Sequence, residues 1–480
     1  MPPPQAGSIA ARLHRALAQI HTTAPRLIAS PPVVQGGVPT GASRRASVAI
    51  IIRLRPDHPP PSSTAASSPH TSPLSPHLPL HSSPPHSPEP SPSPPPLPYV
   101  PSPSGLAESP STSSLSAPPP VLSQLEEFFA LPWVNDPRTT VEILYIKRAT
   151  RTSDKWSGHV AFPGGRQEPE DESAEFTALR ETWEEVGLDL AEKEWISIGQ
   201  LDDREITTSL GKRLLMILSP FVFLHTSPHA PLPELQETEV ASAHWIPLDL
   251  LHSPAARYGS VEIDIASRLA PRNRVARAAL QMLVGNMYFK CILLPNDPVA
   301  VGQLQPDVPP GAELPDLRLW GLTLGMTLDL LSHMTLSSSP ADLSTYPYAI
   351  AALEGGDSKK KQDVSPFAPS EASVFPRFSY PDINLLIWLF GWRYRRLLAH
   401  RSSSASSQRL PETPRPRTPG GATQRVNWQG MSLGAYYGAV RRALVVAVLM
   451  RAVAALGAVA GVVWWVKGWW AGRRRGLGKR

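Results

Sequence analysis

The sequence predicts an α/β domain that carries one long insert and basic tails, and three observations predict it. Residues 46–55 and 141–148 are β-branched, apolar runs of strand length. Between them, residues 56–120 hold 23 of the chain's 57 prolines together with 18 serines. After them, Ser173 and Gly187 frame a helix-length stretch beside a Pro163-Gly-Gly165 turn, one residue able to cap its start and the other to end it.

Taken in order, residues 1–45 carry Arg and no acid, and Ile9, Leu13, Leu17 and Ile20 fall on one helical face. This start reads either as a mitochondrial transit peptide or as a disordered basic tail. Residues 46–55 then read as a strand, and 56–120 as a disordered loop, since Pro and Ser offer too little apolar surface to offset the entropy of ordering. A short helix at 125–129 and the strand at 141–148 resume the same domain, so the loop interrupts one fold and does not separate two. A helix at 174–186, strands near 214–223 and 287–294, and a helix at 322–331 complete a domain spanning 46–335. Residues 336–440 read as a mostly disordered linker, with an apolar segment at 382–400 of the aromatic and cationic make-up that suits a membrane interface. The last element, 441–475, reads as a single transmembrane helix. From Ala443 to Val466 only Arg451 is charged, and a start at Ala452 moves that Arg to the interface. A buried or amphipathic helix is the alternative.

The net charge of +6 sums unlike parts. Residues 1–56 and 413–480 hold 7 and 12 basic residues and no acid, which leaves 27 basic against 40 acidic residues in the middle. An acidic core excludes a basic nucleic-acid-binding domain, so no nucleic-acid partner is expected. The single cysteine, Cys291, excludes an intramolecular disulfide framework and a Cys-rich zinc site, and reads as a small buried hydrophobe.

The chemistry lies in the helix at 174–186. Leu179, Trp183 and Val186 form an apolar stripe, and Glu181, Glu184 and Glu185 stand within one turn at spacings of three and four. Three carboxylates that close repel, and next to a glycine turn they suit a hard divalent cation such as Mg²⁺ or Mn²⁺. Spacing alone leaves a solvated charged face equally open. Arg180 can pair with Glu184 along the helix or clamp a carboxylate from the loop.

Glu172, seven residues, then Arg180-Glu-Thr-Trp-Glu-Glu-Val-Gly-Leu188 resembles the signature box of Nudix hydrolases. Two departures stand out: six residues, not five, separate Gly165 from Glu172, and Thr182 replaces an aliphatic residue. The resemblance implies a Nudix fold, a mixed β-sheet sandwiched between α-helices. It implies metal ligation by Glu181, Glu184 and Glu185 with the Gly165 carbonyl, catalysis through Glu184, Glu185 and Arg180, and support from Glu172 and Gly187. It further implies Mg²⁺ or Mn²⁺ as cofactor and a nucleoside diphosphate linked to another moiety as substrate. Glu239 is the candidate general base, with an exposed loop acid as the bland reading. Ile146-Lys-Arg148, Gly158-His-Val-Ala-Phe-Pro-Gly-Gly165 and the Trp320-Gly-Leu-Thr323 segment are similar to the coenzyme A diphosphatase branch. That branch carries Leu-Arg where this chain has Asp154-Lys-Trp-Ser157. Lys147, Arg148 and Arg151 are the candidate phosphate-binding cations, or ordinary strand-end charges. The expected activity is metal-dependent hydrolysis of coenzyme A or acyl-CoA. A diphosphatase for ADP-ribose or nucleotide sugars and a non-catalytic, membrane-tethered nucleotide-binding adaptor are the alternatives. The expected location is a membrane, mitochondrial from the basic start or peroxisomal from coenzyme A chemistry.

Overall fold

The computed structural model describes residues 8–28, 34–35, 38–39, 44–57, 120–151, 158–207, 214–252, 257–269, 273–301, 315–334, 375–397 and 428–477. The expected disorder of 58–119 and most of 336–440 concerns residues outside that set, as does the segment 154–157. The strands are β1 (Val34–Gln35), β2 (Val38–Pro39), β3 (Arg44–Arg55), β4 (Thr140–Arg148), β5 (Val160–Ala161), β6 (Gly164–Arg166), β7 (Trp195–Gln200), β8 (Arg204–Thr207), β9 (Leu214–His225), β10 (Val240–Pro247), β11 (Arg257–Asp264), β12 (Asn286–Leu294), β13 (Ala300–Val301), β14 (Leu317–Trp320) and β15 (Arg377–Phe378). The helices are α1 (Ile9–Thr22), α2 (Val121–Phe129), α3 (Ala174–Val186), α4 (Leu248–His252), α5 (Ile265–Leu269), α6 (Arg274–Val284), α7 (Gly321–Met334), α8 (Pro381–Phe390) and α9 (Trp428–Leu477).

Among the described residues the main sheet has nine strands. Its path runs β13-β10-β4-β3-β9-β7, with β5 on β4, β6 on β3 and β8 on β9. The pair β3·β9 is parallel and its other pairs are antiparallel, so the sheet is mixed. Strand periodicity places apolar residues on both faces. In β3, Val48, Ile50, Ile52 and Leu54 face one core and Ala49 and Ile51 the other. In β9, Leu218, Val222 and Leu224 join the first core while Phe221 and Phe223 join the second. Helices α1, α2 and α7 line the first core and α3 lines the second, which is the expected sheet between helices.

The structure corrects the reading of the basic start. Ser8 caps α1 by accepting the Ala11 N–H at 3.1 Å, and Leu13, Ala16 and Leu17 are fully buried. The helix packs on α2, α7 and β7, and beyond it Arg26 and Ile28 donate their backbone N–H groups to Asp202 and Asp203. Apolar residues on one helical face serve a protein core as well as a targeting receptor, and here the core takes them.

A second sheet, β11-β12-β14 with β15 on β12, packs with α8 and the first part of α9. Cys291 lies fully buried in β12, as expected. β14 joins the two cores: Leu317 and Leu319 face the first, Trp320 the cluster of the second sheet.

Candidate active site

The site forms where α3 crosses β3 and β6. Gly164 pairs with Val48, and its φ of +144° together with the Ser47 carbonyl, 2.2 Å from where a Cβ would lie, admits glycine alone. At Gly165 a Cβ would stand 2.3 Å from the Glu181 carboxylate, so the bare backbone is what lets Glu181 lie against the turn. Ser173 caps α3 through the Phe176 N–H, and Gly187 ends it at φ +66°.

The phase of α3 differs from the expected Leu179-Trp183-Val186 stripe. Trp183 is exposed, and the inward face is Thr177, Ala178, Thr182, Glu185 and Val186. Glu185 sets this phase, because its carboxylate points into the protein and accepts the Gly164 N–H at 2.8 Å. Thr182 fits the buried position by donating its hydroxyl to the Ala178 carbonyl.

Arg180 makes both of its expected contacts. Its guanidinium grips Asp171 through two bonds of 2.9 and 3.0 Å, and also meets Glu184 at 3.0 Å, Glu181 at 3.2 Å and the Arg166 carbonyl. The loop acid is therefore Asp171, whereas Glu172 is exposed at the helix start. Asp171 is buried and also accepts from the Thr177 hydroxyl and the Glu168 N–H. The Arg180 guanidinium holds the Asp171 carboxyl down at about 2. Counting five residues forward from Gly165, and not backward from Arg180, finds it.

Glu181 and Glu239 both lie close enough to Glu185 to raise it. Burial pushes Glu185 up to about 8, with Glu181 and Glu239 adding to the rise; burial also raises Glu181, helped by Glu184 and Glu239. Glu239 stands at the head of β10, where its carbonyl accepts the Ala149 N–H. Two expected phosphate-binding cations face this cluster: Arg148 lies 3.9 Å from Glu185, and Arg151 3.1 Å from Glu239. Lys147 pairs in register with Ser242 of β10 and Val160 of β5. Glu184 is half exposed and held by Arg180, and among the described residues no three carboxylates converge on one point.

The oxygen donors here are of the type a hard divalent cation takes. A buried carboxylate held between like charges, beside a glycine whose Cβ would collide with a second carboxylate, calls for positive charge at that spot. Nearby, Trp320 Nε1 lies 3.4 Å from His159 Nδ1, and the Thr323 hydroxyl donates to the Val160 carbonyl at 3.3 Å. The segments 158–165 and 320–323, far apart in sequence, thus meet beside the site.

A family model described as the NUDIX domain matches residues 129–264. The Nudix hydrolase NudL of Photorhabdus laumondii is 32% identical over 164 residues, which cover 34% of this chain and 78% of that protein. The chain belongs to the Nudix family. The protein C14C4.10c of Schizosaccharomyces pombe is 38% identical over 198 residues, covering 41% of this chain and 57% of that one. The mouse protein named mitochondrial coenzyme A diphosphatase NUDT8 is 40% identical over 67 residues, covering 14% of this chain and 32% of that protein. The chain thus spans about half of the fission-yeast relative and a third of the mouse relative. In this Nudix chain the family box is the stretch from Gly165 to Leu188, with Asp171 in the place expected of Glu172.

Proposed function

We propose that the chain is a metal-dependent Nudix diphosphatase that cleaves coenzyme A or an acyl-CoA into phosphopantetheine, or its acyl form, and adenosine 3′,5′-bisphosphate. The observation that carries the reading is the pair of carboxylates at the Gly164-Gly165 turn, Glu181 lying against the Gly165 backbone and Glu185 accepting the Gly164 N–H, an arrangement costly to a protein that has no use for it. Glu181, Glu184 and Glu185, with the Gly165 carbonyl, would hold Mg²⁺ or Mn²⁺. Such a metal, when bound, neutralises diphosphate oxygens and lowers the pKa of water.

The chain's own residues do the rest. Arg180, fixed by Asp171, keeps the α3 carboxylates and the loop in one geometry. Glu239 accepts the proton of the attacking water. Arg148 and Arg151, at the rim of the acidic cluster, and Lys147 beside them, meet substrate phosphates. The name of the mouse relative supports the coenzyme A reading, as does the meeting of segments 158–165 and 320–323.

A second part of the reading concerns α9. Its stretch from Gly434 to Trp470 is the one helix among the described residues long and apolar enough to cross a membrane, which supports a membrane anchor by length and composition. The names of the NUDT8 relatives favour a mitochondrial membrane over a peroxisomal one.

Incubating the full chain in mild detergent with coenzyme A, acyl-CoA, ADP-ribose and NADH, with Mg²⁺ or Mn²⁺, tests the enzyme. Adenosine 3′,5′-bisphosphate from the CoA substrates is expected, and its loss in Glu184→Gln. Turnover of ADP-ribose alone would transfer the reading to nucleotide sugars. Turnover of none would make the chain a nucleotide-binding adaptor.

A further inference from the structure

We infer that α6 and α8 form a lipid-facing collar around the emerging end of α9, seated on an anionic bilayer surface, with Arg451 fixing how deep the chain sits. This rests on the reading of α9 as a membrane anchor and adds where the bilayer begins and what else touches it.

Helix α8 is apolar on both sides. Ile383 and Ile387 are buried against the second sheet, yet Leu385, Trp388, Leu389 and, just past its end, Trp392 are 46–64% exposed. Those four fall at i, i+3, i+4 and i+7, a continuous outward stripe. Helix α6 adds a second outward apolar stripe, with Val275 and Met282, 79% and 71% exposed, and the exposed Ala278 and Ala279 between them. A helix apolar all round belongs where both sides are covered, and water covers neither stripe favourably.

The two stripes are tied to α9 at one residue. Arg451 makes two bonds to the Asp382 carboxylate of α8, at 2.8 and 2.7 Å, donates to the Leu283 carbonyl of α6, and lies 4.2 Å over the Tyr380 ring. Before it, Val440, Ala443 and Ala447 of α9 are fully buried; after it, every residue from 452 to 470 is exposed. Those 19 residues rise about 28 Å at 1.5 Å each, against a hydrocarbon core of about 30 Å.

Charge selects the occupant. In residues 273–284, 381–397 and 428–477 the only acid is Asp382, already bound to Arg451. Arg395 stacks over Trp388, and Arg393 and Arg396 over Trp392, placing cations and indoles together as at a headgroup layer. A surface of this make-up, continuous with the exposed span, fits phospholipid with negative headgroups.

The test reconstitutes the full chain in vesicles of three parts phosphatidylcholine to one part phosphatidylserine. Cysteines placed by Met282→Cys, Leu389→Cys and, as an outlying control, Leu232→Cys carry a bimane label; Cys291 is fully buried and stays unlabelled. At 282 and 389 iodide quenching about threefold weaker than at 232, with a blue-shifted emission, is expected for interfacial burial. Release of the chain by carbonate would overturn the anchor itself. A chain that resists carbonate but whose labels at 282 and 389 quench like that at 232 would overturn the collar alone. Equal shielding in lipid-free detergent, with the chain running as a dimer, would hand the stripes to a second copy and also overturn it. The pair Arg451→Gln and Asp382→Asn should lose the shielding while keeping carbonate resistance; unchanged shielding would remove Arg451 from its role.

Discussion

The two sheets put their difficult groups in opposite places. Around the nine-stranded sheet the interior holds charge: Glu142, Asp171, Glu185, Asp203, Arg204 and Asp329 are all buried, and the first two are each gripped by arginine, as are Asp203 and Asp329. Around the second sheet the described interior is apolar throughout, and apolar side chains continue onto the outside of α6, α8 and α9. Buried charge is costly unless paired, and exposed apolar stripes are costly unless covered. On the proposed function, the first region uses its cost for chemistry and the second for attachment.

The sharpest way to break this comparison is at one helix from each region. Leu17 in α1 is fully buried, and Leu17→Ala should cost about 2–5 kcal/mol in urea unfolding of the full chain in detergent. Val459 in α9 is 61% exposed, and Val459→Ala should stay within about 0.5 kcal/mol of wild type. Equal effects would erase the distinction. Next comes the loop acid. Asp171→Asn breaks a mostly buried pair with Arg180 and should cost about 3 kcal/mol, with kcat falling alongside, whereas Glu172→Gln should leave both within error. A third test uses pH. Burial pushes His244, whose Nε2 lies 2.8 Å from Ser242 Oγ, down to about 4. The unfolded chain binds this proton first, so stability is full above about pH 6.5 and falls as pH drops toward 4, by about 3 kcal/mol at most. His244→Asn should flatten that part of the urea-midpoint profile. A smaller effect than these losses belongs to Gly165→Ala, where the new methyl must move only the end of the flexible Glu181 side chain: stability changes by about 1 kcal/mol or less, while turnover drops.

The box was legible because its chemistry demands fixed spacing: Ser173 caps the helix, Gly187 ends it and Arg180 reaches the loop, as their order implies. Asp171 was not, because an extra loop residue allows two registers and only the fold shows that the count from the glycine governs. Trp183 was misplaced for a related reason, since a buried carboxylate and not hydrophobicity sets the rotation of α3. The second sheet was mostly hidden, as β12 pairs with β15 some ninety residues later in the chain, and no local pattern announces a partner that distant. The basic start was read as a transit peptide or a disordered tail, and its place in the core was missed because a one-sided apolar helix is the same object to a core and to a receptor.

The placement of α1 also has a consequence for birth on the ribosome. Its buried leucines pack on α7, which is synthesised about 300 residues later. At translation speeds of roughly 5–20 residues per second, the side of α1 that meets α7 waits about 15–60 s for its partner, while α2 and β7 arrive earlier. This helix is thus among the last in its core to be fully covered, and a nascent-chain chaperone has that long to hold it.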